Sequence, residues 1–454
     1  MMGSRVRMAT TRAGALLIAA ATIGVGLCGC KSLDPKPDIQ RAAEIVRERT
    51  GELPPWLAPP ESDERFPERL DELAAVRLAL RYDARLLQEL ERIAEARADL
   101  VQSGLLPNPV LALDLGFPVD GSGGATKVGV GLTQQLTALL TRGDRIAASD
   151  AELRGRVLEC SDRALRTVAE TRAAHARVAF AMAAIDPVRE AVTEAQRAVE
   201  QARRRVAAGE DTSLEVNRRR LLLVKLTTEL AERTSTLEVR RRHLLAKIGH
   251  AGYAGAWEIA PGDAPRAAPP EKTEEQVIAL VGLQRLDVAA AAAARDAALS
   301  RVQSERKGRL DISAGPVFER TDDGRRELGP SVTVGLPIFD WGDARVAKSQ
   351  AQARRLALEH RRIHEEAIAE ARTAFVEERT ARELASRYDA DVATLASANL
   401  ELARRSFAAG QADLTVLLEA QQQVAESRVR VVDLRERAAL AWIELERAVG
   451  GKLR

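Results

Sequence analysis

His360 and His364 come nearest to a reactive or metal-holding pair: they lie four apart on a helical stretch and are followed by Glu365, so they share a face. Arg361 and Arg362 stand between them, where a zinc-hydrolase helix carries its Glu, and no third ligand is in view. A solvated helix face accounts for them better, and no metal is expected. Gly121-Ser122-Gly123-Gly124 has the glycine density of a phosphate cradle but lacks the Lys-Ser/Thr step, so it reads as a loop between strands. His175, His243 and His250 complete no Ser/His/Asp arrangement. No catalytic residue and no cofactor are expected, and function has to be sought in architecture.

Cysteine chemistry concentrates at the start of the chain. Arg5, Arg7 and Arg12 precede an apolar run, Ala13 to Leu27, that ends in Leu27-Cys28-Gly29-Cys30. This is a secretory signal, too short for a comfortable membrane span. Its end resembles a bacterial lipobox with Cys30 as the lipid-bearing first residue of the mature protein, although Cys28 stands where Ala or Ser is usual. Lys31 follows rather than Asp, which in similar lipoproteins favours the outer membrane. Removing the signal, residues 1–29, takes away three Arg and no acid, so the formal charge falls from +2 to −1. That balance leaves no nucleic-acid footprint. Cys160 then has no intrachain disulfide partner and is expected as a packed small residue.

The elements repeat. Arg203-Arg204-Arg205-Val206-Ala207-Ala208-Gly209-Glu210-Asp211 and Arg404-Arg405-Ser406-Phe407-Ala408-Ala409-Gly410-Gln411-Ala412-Asp413 are two copies of one corner, each followed by a Leu/Val-rich helix. Glycine lets a helix stop and reverse there without a Cβ clash. Gly143-Asp144 lies 66 residues before the first corner and Gly342-Asp343 lies 68 before the second, while Gly249 and Gly450 each follow their corner by 40. The chain is two copies of one unit.

Each copy combines two periodicities. Leu111, Leu113, Leu115 and Phe117 alternate with small or polar residues, as do Val128, Val130 and Leu132, then Leu310, Ile312 and Ala314, then Val332, Val334 and Leu336. These are two β-hairpins, over about 109–135 and 309–339. From each hairpin a run of some 65 residues leads to the tips, at about 207–213 and 408–414. Such a run is roughly 100 Å long as a helix. Pro187 is expected to kink the first run, and the second has no such residue. After the tips, Leu223, Leu230, Leu237 and Leu244, and Leu417, Val424, Val431, Ala438 and Leu445, recur in heptads. The expected domains are a lipidated extended leader over 30–67, a first repeat over 68–249, a Pro-rich linker over 250–272 and a second repeat over 273–450. The composition, 46% hydrophobic but only 3% aromatic, suits long packed helices.

Four strands cannot close a barrel, and an open sheet edge is not tolerated in lipid, so strands that enter a membrane must be completed by other chains. Long amphipathic helices with 30% charged residues in the chain need neighbours along their length, which a ring supplies around a polar lumen. The fold class is therefore mainly α with a small transmembrane β part.

With Leu106-Pro107-Asn108-Pro109-Val110-Leu111 at the first barrel entry, Pro337-Ile338-Phe339-Asp340-Trp341-Gly342 at the second exit, and Ala408-Ala409-Gly410 through Val416-Leu417-Leu418-Glu419-Ala420-Gln421 at a tip, the chain resembles the TolC-like outer-membrane efflux channel family over nearly all of its mature length. The resemblance implies a homotrimer with a twelve-stranded β-barrel, four strands per chain, joined to a periplasmic α-helical barrel. It implies outer-membrane localisation, a periplasmic adaptor protein meeting the tips at Gly209 and Gly410, and an inner-membrane pump that supplies the energy. In that family acidic residues follow the tips six and nine positions on and ring the periplasmic gate; Glu215 and Glu419 match, while Val416 and Arg218 depart from the pattern. The function implied is a passive exit duct for small molecules or ions. The alternative is a periplasmic lipoprotein adaptor or coiled-coil spacer, which would have one hairpin flanked by small β-domains rather than two. Met182 is the one Met left in the mature chain, so no Met-lined metal route is suggested.

Overall fold

The computed structural model describes residues 32–56, 66–117, 126–260, 272–321 and 323–453. Cys30, the signal segment and the glycine-rich turn 121–124 lie outside the described residues. In chain order the elements are α1 (Lys36–Thr50), β1 (Arg69–Leu70), α2 (Glu72–Tyr82), α3 (Ala84–Gly104), β2 (Val110–Gly116), β3 (Lys127–Gln135), α4 (Thr137–Ala207), α5 (Ser213–Lys247), β4 (Glu258–Ile259), α6 (Glu274–Gln284), α7 (Leu286–Lys307), β5 (Ile312–Arg320), β6 (Arg326–Val334), α8 (Asp343–Arg387), a π-helical stretch (Tyr388–Ala393), α9 (Thr394–Ala408) and α10 (Leu414–Val449). Among the described residues no single helix is long and apolar enough to cross a membrane. The fold is the mainly helical one expected, with a small β part.

Compactness divides the chain across the repeats rather than between them. One unit takes residues up to Pro37, Arg92–Arg156 and Ala291–Glu359; the other takes Asp38–Glu91, Val157–Ala290 and His360–Arg454. Each draws on both copies of the duplicated sequence.

The first unit holds an antiparallel sheet in the order β2-β3-β5-β6. The two hairpins join through β3 and β5, with Val130 opposite Phe318 and Gln135 opposite Ser313. Gly315 is demanded by this junction, because a Cβ there would overlap the Leu132 carbonyl. Every residue of β2 is exposed, and Val110, Leu111, Leu113 and Leu115 are each at least 60% accessible. An apolar strand at an open edge is a surface that water does not stabilise. Among the described residues β2 pairs only with β3 and β6 only with β5, so both edges carry unmatched amides.

In the second unit the repeats build the same core twice. Ala75, Ala79, Ala174, Leu244 and Ile248 are buried together, and so are Val277, Val281, Ala374, Leu445 and Val449 at matching positions. Ala176 and Phe180 of α4 pack on Ala439 and Ile443 of α10 and join the copies. In each copy the opening helix pair breaks at one extended residue, Asp83 (ψ 107) or Arg285 (ψ 115). Cys160 is fully buried, and burial first, then the nearby Glu89 charge, push its thiol up to about 12.

Three expectations need correction. Residues 30–67 are not extended throughout, since Lys36–Thr50 is helix α1 with Ala42, Ala43 and Val46 buried. Its apolar stripe is only these few side chains, and flanking prolines and acids masked it; Pro37 sits in the first turn, where no intrahelical N–H bond is lost. The linker 250–272 is partly built in: β4 pairs parallel with β1, and Trp257 and Ile259 are buried against Leu70. The second long run is not regular throughout, because a π-helical stretch interrupts it at Tyr388–Ala393; helix α4 of the first copy runs from Thr137 to Ala207 with Pro187 inside it.

Burial explains that π-helical stretch. Thr167 and Ala367, Thr171 and Ala371, Ala174 and Ala374, and Ala181 and Ala381 are buried partners 200 positions apart; Ala195 and Ala396, and Ala202 and Ala403, are partners 201 apart. The second copy has gained one residue between Ala381 and Ala396. A wider helical turn takes up one extra residue while keeping the buried face in register on both sides.

Candidate docking and gating site at the hairpin tips

Both tips end their helices in the same way. At the first, Glu210 N–H donates to the Arg205 carbonyl (2.8 Å) and Gly209 N–H to Val206 (3.0 Å); at the second, Gln411 donates to Ser406 (2.8 Å) and Gly410 to Phe407 (3.1 Å). These are Schellman turns, which need a left-handed residue just past the helix. Gly209 (φ 74°) and Gly410 (φ 69°) supply it. A Cβ on either would meet nothing within 4 Å, so both corners are open.

A groove of about 420 Å³ lies beside the tips, with Arg204, Arg205 and Arg219 from the first copy and Phe407, Leu417 and Leu418 from the second. Arg219 is the residue that sequence reasoning missed. It is 3% exposed and donates to the Ala198 carbonyl at 2.8 Å, while its Nε has no partner. Burial lowers its pKa, with Asp211 and Glu215 acting in the opposite sense. The signal was available: 201 positions on, the repeat carries Ala420, so one copy places a guanidinium where the other has a methyl group.

Ion pairs tie the hairpins together behind the tips. Arg428 reaches Glu190 (3.0 Å), Arg233 reaches Asp433 (3.3 Å) and Arg240 reaches Glu436 (2.9 Å). The acidic residues expected at a gate have different surroundings. Glu215, in the first turn of α5, is bonded by Arg218 at 2.8 Å and its side chain is 22% exposed. That pair cancels most of its field, and its place at a helix N-terminus stabilises it locally. Glu419 is exposed on α10 and has no partner among the described residues. No contact brings the two carboxylates together within the chain.

The other candidate chemistry is spoken for. Arg361 engages Glu365 at 3.3 Å and Arg362 engages Glu366 at 2.6 Å, beside the half-buried His360 and His364. Among the described residues no group of three or more His, Cys, Asp or Glu side chains is placed to hold a metal ion.

Residues 277–451 match the family model described as outer membrane efflux protein. No curated protein matches the chain. Among solved structures, a membrane protein from Pseudomonas aeruginosa is similar with a TM-score of 0.70 at 19% identity, over 87% of this chain and 100% of that one. The outer membrane protein VceC from Vibrio cholerae gives 0.69 at 16%, over 84% and 97%. The Neisseria gonorrhoeae MtrE outer membrane channel in its open state gives 0.66 at 16%, over 85% and 90%. The chain thus has the fold of the outer-membrane efflux channels and carries, over residues 277–451, a domain of the outer membrane efflux protein family.

Proposed function

We propose that this protein is the outer-membrane exit duct of a tripartite efflux system. An inner-membrane pump supplies the energy, a periplasmic adaptor docks at the tips around Gly209 and Gly410, and small molecules or ions pass through passively. The observation that carries this reading is the four-stranded sheet whose two edge strands, β2 and β6, are left unpaired while its strands expose apolar side chains. Such a sheet is tolerated in lipid only when other copies complete it. Three chains would give twelve strands, and the long helices would ring the same axis as an α-helical barrel. Two hairpins, each preceded by its own pair of strands, fit this duct and not a one-hairpin adaptor or spacer.

Lipid on Cys30 would add an anchor to the outer membrane. Three unpaired Glu419 carboxylates around a narrow axis would concentrate negative potential at the periplasmic gate, with Glu215 weakened there by Arg218. Imaging of the detergent-extracted protein tests the architecture. A three-fold hollow particle is expected, and a compact monomer that stays soluble without surfactant overturns the proposal.

A further inference from the structure

We infer that the first unit carries a binding site for the phosphate of a membrane lipid headgroup, just beyond the strand ends. The site is a cavity of about 580 Å³ lined by four cations, Arg145, Arg301, Arg345 and Lys348, against one carboxylate, Glu305. Serine hydroxyls and a glutamine amide make up most of the rest of the lining, all of them able to donate to an oxyanion.

The charges are not balanced from within. Arg301 is paired with Glu152. Arg145 gives one hydrogen bond, to the Ala138 carbonyl at 3.2 Å, and its Nε is shut off from solvent without a partner. Among the described residues neither Arg345 nor Lys348 has a carboxylate within ion-pair distance. Cations gathered in this way repel one another, and a phosphate with several acceptor oxygens relieves both the repulsion and the unmet donors.

The position selects the source of the phosphate. Helix α4 begins at Thr137, directly after β3, and places Arg145 only about 12 Å along its axis. Arg345 and Lys348 sit in the first two turns of α8. Between β6 and α8 lie Leu336, Ile338, Phe339 and Trp341, exposed by 74%, 69%, 99% and 62%. Aromatic side chains next to basic ones at the end of an apolar sheet are the arrangement of a membrane–water interface. Acyl chains against this apolar segment would leave the headgroup phosphate level with the cavity. The inference rests on the sheet entering a membrane, as proposed above.

Native mass spectrometry of the full detergent-solubilised protein, delipidated and titrated with dioleoylphosphatidylglycerol or dioleoylglycerol, tests it. Phosphatidylglycerol is expected to bind at least about tenfold more tightly, the scale of one charge-assisted hydrogen bond. Raised ionic strength should erode that preference in the unmodified protein. The double variant R345Q/K348Q should lose it, while R361Q/R362Q, with the same loss of charge on a distant stretch of α8, should keep it. Helicity and particle size establish that each variant is folded. Equal binding of the two lipids, or an unchanged preference in R345Q/K348Q, overturns the inference. Displacement of the lipid by equimolar inorganic phosphate also overturns it, since the ligand would then be a free anion. A wild-type protein that needs no detergent would instead bring down the duct reading, which separates the two failures.

Discussion

Four glycines end four helices in this chain with one local geometry, and the surroundings of two of them differ completely from those of the other two. Gly249 (φ 78°) and Gly450 (φ 93°) sit at the base of the hairpins in Schellman turns like those at the tips, with His250 N–H on the Leu245 carbonyl (2.8 Å) and Gly451 N–H on Glu446 (3.0 Å). A Cβ on Gly249 would lie 2.5 Å from Tyr82 Cβ and 2.9 Å from its carbonyl oxygen; one on Gly450 would lie 2.9 Å from the Gln284 carbonyl oxygen. Tyr82 and Gln284 each immediately precede the break in their opening helix pair. Glycine is therefore required twice at the base, by φ and by close approach of another backbone. At Gly209 and Gly410 it is required once, by φ alone. The same motif locks one end and leaves the other open to a partner.

The strongest way to break this contrast is Gly249→Ala or Gly450→Ala. Left-handed strain adds to a clash with backbone that cannot swing away, so each should cost about 3 kcal/mol or more. Thermal unfolding in detergent should show a clear drop in Tm. A Tm unchanged by either substitution would show that the base corners are as open as the tips.

Acid should separate the two bases from each other. The second is fastened by charge: Arg285 bonds Asp287 (2.7 Å), Glu370 (2.6 Å) and the Ala448 carbonyl (2.9 Å), and Arg447 also holds Glu370. Burial pushes the Asp287 and Glu370 carboxyls up, but hydrogen bonds and charge from Arg285, and from Arg447 at Glu370, outweigh it and hold both below their ordinary values. Folded values below unfolded ones mean that this stabilisation is complete above the ordinary carboxylate range and is lost as the pH falls through the lower folded values. The expected loss is about 1 kcal/mol per pair once solvent screening is allowed for. The first base relies more on aromatic packing, with Phe66 stacked on Tyr253 at 4.2 Å and edge-on to Trp257 at 6.2 Å. Amide protection around Arg285 and Gly450 should therefore fall before that around Asp83 and Gly249 as the pH is lowered from 7 to 3. Simultaneous loss would contradict the assignment.

Much of this frame was legible in the sequence because it is periodic. Alternation located the strands of both hairpins, and the Ala-Ala-Gly corners located both tips, since few other residues accept a positive φ. Of the second heptad series Val424, Val431, Ala438 and Leu445 are buried, while Leu417, nearest the tip, is half-buried. What escaped was set by single side chains rather than by period. Helix α1 buries too few apolar residues to stand out from its charged surroundings. Trp257 and Ile259 belong to the core although they lie in a stretch that reads as linker. The break at Tyr388–Ala393 escaped because an inserted residue leaves no compositional mark and shows itself only through the burial register on either side. At the tips the sequence named the glycines and the acids but not Arg219, whose burial no pattern of one copy alone could reveal.

At the open end the expected effects on folding are smaller and those on function larger. Gly209→Ala and Gly410→Ala should cost only about 1 kcal/mol each, the strain of one left-handed residue with no clash. Gly209→Leu and Gly410→Leu should lower Tm no further, yet they should reduce cargo export in cells, because a bulky side chain would stand where the adaptor is proposed to dock. Export unchanged by leucine at both tips would remove them from the docking surface.

The smallest effect separates the two gate candidates. In planar-bilayer recordings Glu419→Gln should lower cation over anion permeability, while Glu215→Gln should change it less, because Arg218 already cancels much of the Glu215 charge. Adding Arg218→Gln to wild-type Glu215 should then raise cation preference by unmasking that carboxylate. If Glu215→Gln proves the stronger substitution, the Glu215–Arg218 pair does not persist in the assembled pore, and the asymmetry between the two tips would have to be assigned to Arg219 instead.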